Sequence, residues 1–292
     1  MNSWVLRISH RLPRAATTLA ACLRGGGPPN QVERCVRSLY VSWIRAHISE
    51  ELHRQRLKLL WFVWGYWPLL TLKILPLSQR IRLLVRFISV DWHVVHSHRP
   101  AEIARVCQAL AERRAISDEK KEAVIEAGCW QGGSAAKFSI LCNLLGYELH
   151  IYDSFAGVED RSTEDGNSGY DFSGEYAAPE GVLWRNLSQY GEAGICTVHP
   201  GWFSDTLARG PVPYPVRVAF IDCDLAKGTY EVLLGIVPSL VQDGWIFSQD
   251  FHIPPVKAML SAPATWQRLG KPQPTLTRLG GCLASLRFGH WS

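Results

Sequence analysis

From about residue 91 onward, short apolar runs bounded by turn residues alternate with longer stretches patterned every three to four positions. In 101–115, Ile103, Val106, Cys107 and Leu110 share one face at helical spacing, which predicts a helix packed on a core. The runs 123–129, 148–155, 194–200, 216–224 and 244–251 have the length and near-continuous apolarity of buried parallel strands. Helical stretches at 134–146, 229–244 and 254–270 lie between or after them, and 282–288 predicts a last strand. This alternation predicts a Rossmann-like, doubly wound, mostly parallel α/β sheet. Such sheets bind ligands beyond the carboxyl ends of their strands, where strand order switches. Functional residues are therefore expected at strand ends.

The first 90 residues have a different character. Of the net charge of +5, residues 1–90 carry +11 (14 Lys/Arg against Glu33, Glu50 and Glu51), which leaves −6 for 91–292. Residues 1–30 are Arg-bearing, rich in Ser, Thr and Ala and free of acids: either an organelle-targeting leader or a disordered tail, with GGGPPN as a linker. Residues 31–90 are expected to form a helical, basic and aromatic extension, and 91–292 the sheet domain. Between Lys58 and Lys73 run 14 uncharged residues containing Pro68, too few for a spanning helix, which needs about 20. With Trp61, Trp64 and Trp67 inside it and cations on both sides, the stretch 54–86 either packs as a hydrophobic cap or lies in a lipid interface. The eight cysteines show no zinc spacing, which suits reduced thiols in an intracellular compartment. The cytoplasm is expected, or an organelle if the leader targets one.

The candidate chemistry starts at VIEAGCWQGGSAAKF, 124–138, where Gly128, Gly132 and Gly133 stand between a strand and a helix. Missing side chains there let backbone amides approach a ligand, and the helix N-terminus favours an anionic group. The spacing departs from the dinucleotide G-x-G-x-x-G, which makes hydride transfer from a nicotinamide the second reading. Asp153, at the end of the next strand, is either a ribose ligand or a loop cap.

IEAGCWQGGS, YDSFAGVE, HPGWFSDTL, FIDCDLAKGTYEVL and DGWIFSQDF together resemble the macrocin O-methyltransferase (TylF/MycF) family of class I S-adenosylmethionine-dependent methyltransferases, over roughly 92–290. The resemblance implies O-methylation of a hydroxyl on a sugar or natural-product-like small molecule. It implies that Glu126, Gly128, Gly132 and Ser134 surround the methionine part of S-adenosylmethionine. It further implies that Asp153, with Ser154 beside it, meets the ribose and that Gly201, Trp202 and Phe203 lie on the adenine side, where Trp202 is alternatively core filler. A magnesium ion held by Asp222, Gln249 and Asp250 is implied as well. Two departures bear on it: Gln249 stands where the family carries a carboxylate, and Ala226 where it carries a tyrosine. Asp222 or His252 is expected as the general base, and 156–193 as an acceptor-binding lid. A small-molecule acceptor and a homo-oligomer are expected, and no nucleic-acid partner. A methyltransferase-like binding module without turnover is the alternative that the two departures keep open.

Overall fold

A computed structural model describes residues 55 to 289, except 56, 117–120 and 167–170; the expected leader lies outside the described residues. The chain divides into two compact units between Trp61 and Phe62. Of the first, residues 57–61 are helical. The second contains the sheet and everything discussed below.

The sheet has seven strands in the order β3-β2-β1-β4-β5-β7-β6. They are β1 (Ala123–Ala127), β2 (Glu148–Asp153), β3 (Cys196–Pro200), β4 (Val216–Ile221), β5 (Leu240–Ser248), β6 (Thr275–Gly280) and β7 (Leu283–Arg287). Strands β1 to β5 pair in parallel, while β7 runs antiparallel to β5 and β6 antiparallel to β7. All residues of β1 and β4 are buried, as strands covered on both faces must be. Helices α1 (Leu77–His93), α2 (Pro100–Leu110), α3 (Gly133–Leu145) and α4 (Glu180–Tyr190) come next in chain order, interleaved with the strands. They are followed by the short α5 (Phe203–Thr206), then α6 (Ala226–Ile236), α7 (Pro254–Ser261) and α8 (Pro263–Arg268).

Two apolar clusters sandwich the sheet. One joins Leu83 and Phe87 of α1, Ile103 and Leu110 of α2 and Phe138 of α3. The other joins Val232 and Leu233 of α6, Val256 of α7 and Trp266 of α8. Residues 62–95, which the sequence sets apart from the sheet domain as far as 90, contribute Tyr66, Leu69, Leu83, Phe87, Val90 and Val94 to the first cluster. The expected helix 254–270 is two helices, because Pro263 starts a second one after the extended Ala262. β5 starts at Leu240, inside the stretch expected to be helical to 244.

At the amino ends of the strands the charges are paired. Arg217 of β4 is fully buried and reaches Glu112 at 3.0 Å and the Asp243 carboxylate at 2.7 Å, while Arg113 joins Glu122 to Asp243. Burial opposes ionisation of Asp243, but Arg113 and Arg217 overcome it and hold the carboxyl below its usual range.

Candidate active site

The site lies where β1 and β4 meet and the strand order switches. Gly128 leaves β1 with φ +85°, and a Cβ there would sit 1.8 Å from the carbonyl oxygen of Asp222. The turn after β1 is thus pressed against the end of β4, and Asp222 N–H donates to Ala127 O at 2.8 Å. Gly132, also left-handed, precedes the first turn of α3, whose amides open toward the same side.

A cavity of about 940 Å³, open mouth included, occupies this edge. Gly128, Ser134, Asp153, Ser154, Gly201, Trp202 and Phe203 of the expected cofactor residues line it, while Glu126 and Gly132 do not. Gly157, Val158, Glu159 and Tyr176 bring in the 156–193 segment. That segment is anchored to the strand ends: Asp165 accepts from the amides of Ala226 and Lys227 at 2.7 and 3.2 Å, and Lys227 reaches Glu159 at 2.9 Å. It also contains α4, which its polar composition concealed. Trp130 and Tyr176 meet edge to face with ring centroids 5.3 Å apart, and both have left-handed backbones, as do Phe155 and Asp224. All four non-glycine residues with positive φ among the described ones are at or beside this cavity. Asp153 takes the cap role: one oxygen accepts from the Cys129 and Trp130 amides at 2.7 and 3.2 Å and the other from Phe155 N–H at 2.7 Å. A carboxylate has about four lone-pair sites, so capacity remains for a ligand hydroxyl.

Two histidines that sequence reading passed over face this space. His98 Nε2 lies 2.8 Å from Asp222 Oδ2, with the imidazole buried against the edge of Phe220. His96 stacks near His98 with centroids 6.2 Å apart and lies 2.6 Å from Asp91, which also pairs with Lys137. Asp91 and Lys137 side chains are fully buried. Burial works to raise the Asp91 carboxyl, but His96 and Lys137 prevail and hold it low.

The other cation at the carboxyl edge, Lys227, is paired with Glu159 and does not line the cavity. Asp153, Glu159, Asp222 and Asp224 line the cavity and no Lys or Arg does. Burial, followed by Asp222 and Glu175, pushes Asp224 up to about 7. Burial, only partly offset by the Ser134 hydroxyl, pushes Glu126 up to about 8, and neither of its oxygens makes a hydrogen bond of normal geometry.

Comparison with known proteins decides what this edge belongs to. The family model described as macrocin-O-methyltransferase (TylF) matches residues 101–274, more than half of the chain. The chain belongs to the macrocin O-methyltransferase family. Its chemistry is accordingly S-adenosylmethionine-dependent O-methyl transfer, not hydride transfer from a nicotinamide. The O-methyltransferase NovP shares the fold with a TM-score of 0.55 and 20% identity, over 73% of this chain and 98% of NovP. The calicheamicin methyltransferase CalS11 aligns with a TM-score of 0.48 and 16% identity, over 78% of this chain and 91% of CalS11. No curated protein matches the chain.

Within this O-methyltransferase three expected positions stand apart from the cavity. His252 is exposed and does not line it; the imidazole at Asp222 belongs to His98. Asp250 is buried beneath the Cys223–Asp224 turn, one oxygen accepting both amides at 2.8 and 2.9 Å. Gln249 Nε2 donates to Glu102 at 3.0 Å. Among the described residues no group of three or more His, Cys, Asp or Glu side chains is placed to hold a metal ion. These donors do not fit magnesium: the amide that replaces a carboxylate is turned to Glu102, and Asp250 caps a turn. A lone His preceding Arg-Pro carries no signal of its own in sequence, and His98 and Asp222 are 124 residues apart.

Proposed function

We propose that this protein methylates a hydroxyl of a small sugar-like or natural-product-like acceptor without a metal ion, with the Asp222–His98 pair taking the hydroxyl proton. The observation that carries this reading is the 2.8 Å contact between His98 and Asp222 at the wall of a cavity that contains acids and no Lys or Arg.

S-adenosylmethionine supplies a methyl group on a positively charged sulfur. The residues present suit such a donor. Asp153, Asp222 and Asp224 provide negative potential in a partly dehydrated edge, where charge attraction is several-fold stronger than in bulk water. The amides at the start of α3 are placed to donate to the carboxylate of S-adenosylmethionine, as helix N-termini do for anions. Trp202 and Phe203 offer flat apolar faces to a purine, and Asp153 and Ser154 stand where the ribose hydroxyls would lie. On the other side Glu159 and Tyr176 of the lid meet the acceptor.

Asp222 has one oxygen held by His98, which fixes the carboxylate's orientation and leaves the second oxygen for the acceptor hydroxyl. The hydroxyl oxygen forms the new bond to the methyl carbon as the carbon–sulfur bond breaks to leave a neutral thioether, and its proton passes to the Asp222–His98 pair. General-base assistance of this kind contributes roughly 10²–10⁴ in rate. His98 in turn stabilises the charge arrangement as a donor to the carboxylate.

The test is a panel of hydroxyl-bearing acceptors with labelled S-adenosylmethionine, run with and without a chelator. Transfer that is indifferent to the chelator and absent in His98→Ala supports the reading. Transfer that requires added magnesium and survives in His98→Ala overturns it.

A further inference from the structure

Helix α1 is apolar on two opposite sides. Leu83, Phe87 and Val90 are buried in the core, yet Leu77 and Val85 are each 60% exposed and Ile81 48%. Leu77, Ile81, Val85 and the part-exposed Trp92 follow at spacings of four, four and seven, which on an α-helix confines them to an arc of about 80°. Just before the helix, Trp64 is 84% exposed and Trp67 60%. Phe62 meets the edge of Trp92 with centroids 6.2 Å apart, which joins the tryptophan turn to the end of the stripe.

The charge around this stripe has one sign. Residues 62–90 hold four Lys/Arg and no Asp or Glu. Lys73 and Arg82 are exposed and make no ion pair among the described residues. Arg80 bonds only the carbonyls of Leu70 and Leu75, and the nearby Glu192 is already paired with Arg86. Asp91, the first acid after this stretch, is buried with Lys137.

We propose that this face of α1, with Trp64, Trp67, Lys73 and Arg82, docks on an anionic lipid surface. Tryptophan is favoured at the water–hydrocarbon boundary, and exposed Lys and Arg are attracted to anionic headgroups. A second copy fits less well: a twofold contact sets the same patch against itself, so cations would meet cations with no acid to pair them. Spanning is excluded for the described residues, none of whose helices is long and apolar enough. The contact is therefore peripheral.

The experiment is cosedimentation of the full chain with phosphatidylcholine vesicles, with and without phosphatidylserine, at low and high salt. The expected result is binding to phosphatidylserine vesicles that weakens about tenfold as salt screens the cations. Ile81→Glu/Val85→Glu is expected to lose about tenfold or more of it, and Arg82→Glu several-fold, with S-adenosylmethionine binding retained. If the double variant fails to fold, quenching of wild-type tryptophan fluorescence by brominated lipid decides, and absence of quenching overturns the proposal. Vesicle binding that the variants leave unchanged overturns it too, since the contact then lies outside this face. So does a dimer that the double variant dissociates, in a protein that ignores vesicles.

Discussion

The two ends of one sheet treat charge in opposite ways. At the amino ends of β1, β4 and β5, Arg113 and Arg217 meet Glu112, Glu122 and Asp243, and Asp243 is held low despite its burial. At the carboxyl ends, Glu126 and Asp250 are fully buried and Asp224 is half-buried, none of them in an ion pair with Lys or Arg among the described residues, and all three are pushed up. Asp243 and Glu112 are more than a third exposed while Glu126 and Asp250 are fully buried, so the difference combines deeper burial at the carboxyl end with cation partners at the amino end. The amino end is electrostatically complete. The carboxyl end becomes complete when a cation enters, and a sulfonium is one.

The largest effect should come from removing the charge that the chemistry uses. Asp222→Asn is expected to lower methyl transfer by about 10²–10⁴ in a single-turnover assay while S-adenosylmethionine still binds. Wild-type turnover in that variant would remove Asp222 from the mechanism.

A smaller effect follows from Glu126. Its folded pKa, about 8, lies above the ordinary 4.5, so the folded chain keeps a proton that the unfolded chain releases. Stability contributed by this proton is complete below pH 4.5 and is lost as pH rises to about 8. Glu126→Gln should therefore be more stable than wild type at pH 8, on the order of 3 kcal/mol, with the gain vanishing toward pH 4.5. A gain that is equal at both pH values would contradict the burial argument. At the opposite end, Arg217→Met removes a buried cation but leaves Glu112 and Asp243 partly exposed and Asp243 still paired with Arg113, so it should cost about 1–2 kcal/mol in urea unfolding, with turnover per folded molecule unchanged. A cost below about 1 kcal/mol would mean that the amino-end pairs do not hold the fold.

How much of this was legible in sequence depends on distance along the chain. The runs behind β1 and β4 declare themselves because each is apolar and bounded by turn residues, and the glycine turn because Gly128 and Gly132 need left-handed backbone, whereas β3, expected as a buried strand, has no buried residue. The edge strand β6 does not: Thr275–Gly280 alternates exposed and half-buried positions without an apolar face. Helix α4 hides in a polar lid because only Leu183 and Leu187 are buried on it. His98 and Asp222, Asp91 and Lys137, and Gln249 and Glu102 are pairs made by the fold, between residues with no local signal. Reading along the chain pointed to His252, adjacent to a strand end, whereas the fold brings His98, just before α2, to Asp222 at the end of β4. The same reading assigned Asp250 to a metal, where its position under a turn makes it a cap.

The central claim is that the carboxyl edge awaits a positive charge. It is tested most directly by calorimetric titration of S-adenosylmethionine and S-adenosylhomocysteine, which differ by the methyl group and its sulfonium charge, from pH 6 to pH 8.5. Asp224, pushed up to about 7, ionises across this range, so attraction for the sulfonium grows as pH rises while the neutral thioether gains little from it. The ratio of the two affinities should shift about three- to tenfold toward S-adenosylmethionine as pH passes 7, and the shift should disappear in Asp224→Asn. A ratio that is flat from pH 6 to pH 8.5 in the wild-type protein would contradict the account.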